Sequence, residues 1–172
     1  MPDPLQSSFE ISFLCENSER KFPWQKRLES IGRRLLTEEG CLSNVNVVIC
    51  SDQTVRTLNR DYRHLDKVTD VLSFEWHEPY LLGEIYIAEE QVRRQAPTYG
   101  NSFYDELKRV FVHGLFHLCG YDHIKPKDRE KMRRRECEFL KINYYRENNG
   151  LPFNLSIWLF RLPFSFSSLF FD

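Results

Sequence analysis

Apolar positions along the first hundred residues switch between two periods. FEISFL (9–14) alternates over a short stretch and predicts an opening strand. After Pro23, the residues Trp24, Leu28, Ile31 and Leu35 recur at helical spacing, and Gly40 ends the run. NVNVVIC (44–50) is β-branched and predicts a second strand. SDQTVRTLNRDY (51–62) opens on capping residues and predicts a second helix. RHLDKVTDVLSFEW (63–76) is a turn-rich entry into a strand over Asp70–Phe74, and GEIYI (83–87) is another strand. AEEQVRRQAPTYG (88–100) starts as a helix that Pro97 and Gly100 break.

The next helix differs in kind. Ser102 and Asp105 have the spacing of a capping box. Phe103, Leu107, Val110, Phe111, Gly114 and Leu118 then share one face, and beyond Val110 the stretch is apolar nearly all round. That pattern predicts a central, buried helix, ended by Gly120. A last helix starts at Pro126, a residue suited to the first helical position, and runs to about Tyr145. The order β-α-β-α-β-β-α-α-α contains no internal repeat. It predicts an α+β fold, a single small mixed sheet packed with helices.

A chain of 172 residues is expected to form one domain, and a domain of that size hides roughly 70% of its unfolded surface. Residues 1–150 are assigned to that domain and 151–172 to a separate tail. The tail, LPFNLSIWLFRLPFSFSSLFFD, holds six of the fourteen Phe and almost no charge. It could pack on the domain, lie on a membrane surface or hang loose. Arg161 and Pro163 sit mid-stretch and argue against a membrane span. The tail has no assigned role and is expected to be dispensable for chemistry. A formal net charge of −1 confines any nucleic-acid surface to a local patch. The five Cys, at 15, 41, 50, 119 and 137, are odd in number and form no C-x-x-C pair. The N-terminus MPDPLQSSFE has no basic region followed by an apolar run. Together these predict a reduced, cytoplasmic protein with free thiols.

Three of the five His fall within HGLFHLCGYDH (113–123). His113 and His117 are four apart on the buried helix, so they project from one face and can share an ion. Gly120 allows the turn that returns His123 as a third ligand. Three neutral imidazoles suit Zn²⁺ and leave one position open, which is a catalytic rather than a structural arrangement. His64 and His77 lack such spacing and read as surface residues, although His64 beside Arg63 could line a cleft. The spacing equals that of the metzincin peptidases, H-E-x-x-H-x-x-G-x-x-H. In those enzymes Glu follows the first His and acts as general base; here the position is Gly114. Met132 is no obvious Met-turn. The ion would therefore act on a substrate that brings its own nucleophile or needs its charge neutralised. Phosphodiesters fit both, and RNA carries an internal 2′-OH.

HGLFHLCGYDH resembles the H-G-x-x-H-L-x-G-Y-D-H signature of the YbeY family of bacterial metal-dependent endoribonucleases. LNRDYRHLDKVTDVLSF (58–74) is similar to that family's L-N-x-x-Y-R and T-D-V-L-S-F motifs. GEIYI resembles its G-D-I strand, with Glu84 where Asp is usual, and Glu75 stands where Pro often follows the Phe. The likeness covers roughly residues 9–145. It implies an α+β fold with a zincin-like core and one Zn²⁺ held by His113, His117 and His123. It implies single-strand cleavage in ribosomal RNA processing, namely 3′ end maturation of 16S rRNA, and a part in ribosome quality control. Its conserved arginine corresponds to Arg63, so Arg63 and His117 are the residues expected to carry catalysis. The implied partners are ribosomal RNA and the ribosome, with ribosomal proteins and GTPase assembly factors as further candidates.

Arg is the side chain suited to a bidentate grip on phosphate, though as a residue type it is usually exposed and structural. Asp70 could accept a bond from Arg63 or from a ligand imidazole, or serve a cap or strand end. Asp122 could simply satisfy backbone groups in its turn. Lys125, Lys127, Arg129, Lys131, Arg133, Arg134 and Arg135 form either a solvated face, interleaved with Asp128, Glu130 and Glu136, or an RNA-backbone track. Cys119 reads as a small buried thiol off the ligand face. The nucleophile stays open between a metal-activated water and the 2′-OH. The rival readings are a zinc hydrolase on another substrate, peptides included, and a ribosome-associated factor with a structural metal.

Overall fold

Strand β1 (Ile11–Cys15) runs parallel to β2 (Asn44–Cys50), and β2 runs parallel to β4 (Leu81–Ala88). Strand β3 (Val71–Glu78) lies antiparallel on the far side of β4, which completes a mixed sheet in the order β1-β2-β4-β3. The computed structural model describes residues 9–141, apart from Asn17 and the side chain of His77. The Phe-rich segment 151–172 lies outside the described residues.

Parallel neighbours need crossovers, and α1 (Gln25–Glu39) supplies the first, burying Leu28, Gly32, Leu35 and Leu36. Helix α2 (Asp52–Arg63) starts at Ser51, whose hydroxyl accepts the Thr54 N–H. It ends on His64, which takes the left-handed conformation at φ 59. That cap leaves His64 exposed while Arg63 is buried. Helix α3 (Glu89–Gln95) tightens into a 3₁₀ turn over Ala96–Tyr99, with Pro97 inside it, where the sequence marks a break.

Several boundaries differ from expectation. The strands expected over Asp70–Phe74 and 83–87 are longer: β3 continues to Glu78 and β4 starts at Leu81, with Glu78 opposite Leu81 in a hairpin. EWHE lacks the β-branched alternation that marks a strand, and it is pairing with β4, across a register shift after Glu75, that makes it one. Helix α5 (Pro126–Leu140) stops short of Tyr145, because Lys141 turns left-handed at φ 57 and caps it.

Helix α4 (Phe103–Leu118) is the centre of the molecule. The Ser102 hydroxyl accepts the Asp105 N–H at 3.1 Å, the forward half of a capping box. The return bond differs: the Ser102 hydroxyl donates to the Asp105 carboxylate at 2.7 Å. Aspartate is one methylene shorter than the glutamate that usually reaches back to the backbone. Every residue from Val110 to Leu118 is buried. Phe111, Phe116, Leu107 and Leu115 are wholly so, each stabilising the fold by about 1.5–3 kcal/mol.

Helix and sheet approach closely at two glycines. A Cβ on Gly83 would stand 2.3 Å from the Phe74 carbonyl and 2.5 Å from Leu118 Cδ2. On Gly114 it would stand 3.0 Å from Ile85 Cγ2 and 3.1 Å from Ser73 Oγ. The Ser73 hydroxyl donates to the Gly114 carbonyl at 3.2 Å and stitches β3 to α4. Gly83→Ala should therefore destabilise the protein by about 1–3 kcal/mol, the usual cost of overpacking. In thermal unfolding that is a loss of roughly 2–4 °C per kcal/mol. An unchanged midpoint would mean that the Phe74 carbonyl of β3 and Leu118 of α4 both give way without cost.

Candidate metal centre

His113 and His117 project from α4, near its buried C-terminal end. Gly120, at φ 85, then reverses the chain, with its N–H bonded to the His117 carbonyl at 2.8 Å. Asp122 shapes the next step. Its Oδ1 accepts the N–H groups of His123 at 2.6 Å and Ile124 at 3.1 Å, so it satisfies the turn backbone. His123 thereby comes back beside the helix. The three histidines are 9%, 5% and 8% exposed, and their ligand atoms all lie within 4.8 Å of one another.

Each α4 imidazole has one nitrogen committed. His113 Nδ1 meets Glu136 Oε1 at 2.6 Å, and His117 Nδ1 meets the Tyr121 carbonyl at 2.9 Å. A carbonyl and a carboxylate only accept, so the ring protons sit on Nδ1. Both Nε2 atoms then carry lone pairs, and they face each other at 3.1 Å. Two lone pairs at that distance repel, and a cation between them converts the repulsion into coordination. A tetrahedral ion with nitrogen bonds of about 2.0–2.1 Å spans N···N edges of roughly 3.3 Å, close to what is found. The donor set fits a divalent metal. Burial, followed by the charges of His113 and His123, holds His117 well below its ordinary pKa, against the opposing Tyr121 bond. A neutral ring is the form that ligates.

Arg63 closes α2 and is 9% exposed. Burial pulls its guanidinium down to about 10, with the charge of Asp70 opposing, so it stays cationic at neutral pH. Its charge also acts on His117, which links α2 to the histidines. Asp70 sits at the strand end before β3, bonded to Gln95 Nε2 at 2.7 Å and paired with Arg109 at 3.8 Å. Behind them Glu106, wholly buried, accepts from Gln95 at 2.7 Å, Asn101 at 2.7 Å and Arg109 at 2.5 Å. Burial pushes the Glu106 carboxyl up, but Arg109, Asn101 and Gln95 outweigh it and leave the pKa lowered.

Several basic residues that follow the motif are structural. Arg135 bonds Glu39 at 2.7 Å and Glu38 at 3.1 Å, which ties α5 to α1. Arg129 donates to the His123 carbonyl at 3.1 Å. Arg134 pairs with Glu130 at 3.3 Å, while Lys125 and Lys127 are exposed. Met132 is a core residue of α5. Cys119 is half-buried rather than fully buried, and its thiol is pushed up by burial and by Cys41 beside it. In the sequence Glu136 stands out only as one of the acids interleaved in a basic helix. A signal was present: it lies four residues after Met132 and three before Phe139, on the apolar side of α5. Among the described residues no helix is long and apolar enough to cross a membrane.

Residues 12–143 match the sequence model of a family described as Endoribonuclease YbeY. A protein named Endoribonuclease YbeY from Desulfitobacterium hafniense is 43% identical over 113 residues, covering 59% of this chain and 72% of its own length. One of the same name from Sulfurovum sp. is 39% identical over 138 residues, covering 76% and 85%. The solution structure of TM1509 from Thermotoga maritima is 30% identical, with a TM-score of 0.52, over 81% of this chain and 93% of that one. The matched span takes in Arg63, the three histidines and Glu136. With that span carrying both the sheet and the buried histidine helix, the chain belongs to the YbeY endoribonuclease family.

Proposed function

We propose that this protein is a metal-dependent endoribonuclease that cuts single-stranded ribosomal RNA, with 3′ end maturation of 16S rRNA as its task in the cytoplasm. Family membership supports RNA cleavage. The observation that carries the metal dependence is the 3.1 Å approach of the His113 and His117 Nε2 atoms, whose Nδ1 atoms are engaged elsewhere. Three imidazoles favour Zn²⁺, one per chain, held by His113, His117 and His123. Such an ion, when bound, supplies Lewis-acid charge for a phosphodiester.

The chain's own residues do the rest. Arg63 keeps a permanent positive charge in a buried position, where its planar fork can hold non-bridging phosphate oxygens and offset charge that develops on them. Asp70, bonded to Gln95 and paired with Arg109, adds a negative charge that acts on it. Lys125 and Lys127 are the exposed cations nearest in sequence to His123 and the first candidates for backbone contacts with ribosomal RNA. The Cα of Gly114 faces Ile85 and Ser73, so that position offers no room for the peptidase's carboxylate.

Purified protein should carry about one Zn²⁺ per chain and cleave a single-stranded ribosomal RNA fragment. Chelator and His117→Ala should each abolish cleavage; full activity after either would sink the proposal. Arg63→Ala should slow cleavage on the order of 10²–10³-fold, as expected when a donor to developing charge is lost, with metal content unchanged. Lys at the same position should rescue in part, because it restores charge without the fork. Parental rates in Arg63→Ala would make the residue structural. Gly114→Glu should lower the unfolding midpoint and create no peptidase. Zinc-dependent proteolysis at ordinary enzymatic rates, about 1–10³ per second, would overturn the assignment to RNA.

A further inference from the structure

Helix α5 turns one carboxylate inward. Met132 and Phe139 are buried at 1% and 3% exposure and mark the face that packs on the core. Glu136 falls between them on that face, with a side chain 16% exposed. A carboxylate drawn this far from water costs free energy unless it is paired. It is paired with His113 Nδ1 at 2.6 Å, and it also feels the charge of Arg109.

We propose that Glu136 is the positioning residue of the histidine tripod: it holds His113 as the Nδ1–H tautomer and aims Nε2 at the point His117 also faces. This rests on the reading of the tripod as a metal site. His117 is oriented by a backbone carbonyl, and His113 by a carboxylate. A bond to an ionised acceptor is roughly twice as strong as a neutral one, and it makes the imidazole a better donor to a metal. The support is rigid. Arg135 ties α5 to α1 through Glu38 and Glu39, and Arg129 reaches the His123 carbonyl from the same helix. Helix α5 thus touches two of the three ligands, one through a carboxylate on its ring and one through a cation on its backbone. Removing Glu136 takes away no ligand but frees the His113 ring to rotate and to exchange tautomers.

The test is Zn²⁺ competition against a chromophoric chelator with the full chain, comparing the parent, Glu136→Gln, Glu136→Ala and His113→Ala. Glu136→Ala should weaken Zn²⁺ binding by about 10–100-fold, the usual loss when such a partner is removed. Glu136→Gln should fall between, since its amide oxygen still accepts the Nδ1 proton but carries no charge. Nitrogen chemical shifts of the metal-free protein should report Nδ1–H for His113 in the parent and in Glu136→Gln, and mixed tautomers in Glu136→Ala. Thermal midpoints of metal-free and metal-loaded protein separate this from packing. A merely structural Glu136 would lower both and leave the competition constant at its parental value, which overturns the proposal. Should Glu136→Ala fail to fold, Glu136→Gln decides: weaker binding than the parent upholds the role, and equal binding removes it. If the parent takes up no Zn²⁺ while Glu136→Gln and the parent fold alike, the tripod reading itself has failed.

Discussion

Where α4 crosses the sheet, Gly114 and Gly83 put no Cβ between helix and strands, so Gly114 settles against Ile85 and Ser73, and Leu118 against Gly83. That approach buries the C-terminal half of α4 entirely. It also carries His113 and His117 below the surface, where desolvation keeps His117 neutral. A surface helix with the same histidines would leave them solvated, able to protonate and free to rotate. The Ser73 bond to the Gly114 carbonyl fixes the height of the helix on β3. Site and core are therefore one packing problem: the contacts that exclude water from Phe111 and Leu115 also exclude it from the imidazoles.

Around that helix the buried polar groups are connected rather than isolated. Glu106 has no exposure, yet three side chains donate to it. Gln95 bridges Glu106 to Asp70, and Arg109 lies between the same two carboxylates. Such a network is stabilising only when complete, and removing one partner typically costs about 3–5 kcal/mol by stranding a buried charge. Its position explains the cost. It joins α3, the start of α4 and the strand end before β3, and Asp70 brings its charge to Arg63. Asp70, held in this network, thus sets part of the field around the buried Arg63.

The final helix changes the meaning of its own sequence. Seven basic residues from Lys125 to Arg135 suggest one electrostatic function. In the fold they divide. Arg135 reaches α1, Arg129 reaches the His123 carbonyl, and Lys125 and Lys127 face solvent. The acid bonded to His113, Glu136, is not on the solvated face but on the side of α5 that buries Met132 and Phe139. Charge counted along a helix does not separate these roles, because a single turn moves a side chain from water to the core.

The sequence by itself determined the elements, the buried helix and the three histidines, because each is written in local terms. Helical period marked α1, β-branched runs marked β2, and the caps at Ser51 and Ser102 stand within three residues of the N–H groups they accept. Spacings of four and six residues placed His113, His117 and His123 around one turn of chain at Gly120. Resemblance to a family supplied Arg63, which no local pattern could tie to histidines fifty residues away. Only the tertiary structure decided the rest. It made EWHE a strand, because β4 lay ready to pair with it. It brought α5 against α4, so that Glu136, twenty-three residues from His113, meets its ring. It bound Asp70 to Gln95 and Arg109. Each of these depends on contacts between segments far apart in the chain, whose energies act only after the elements have packed.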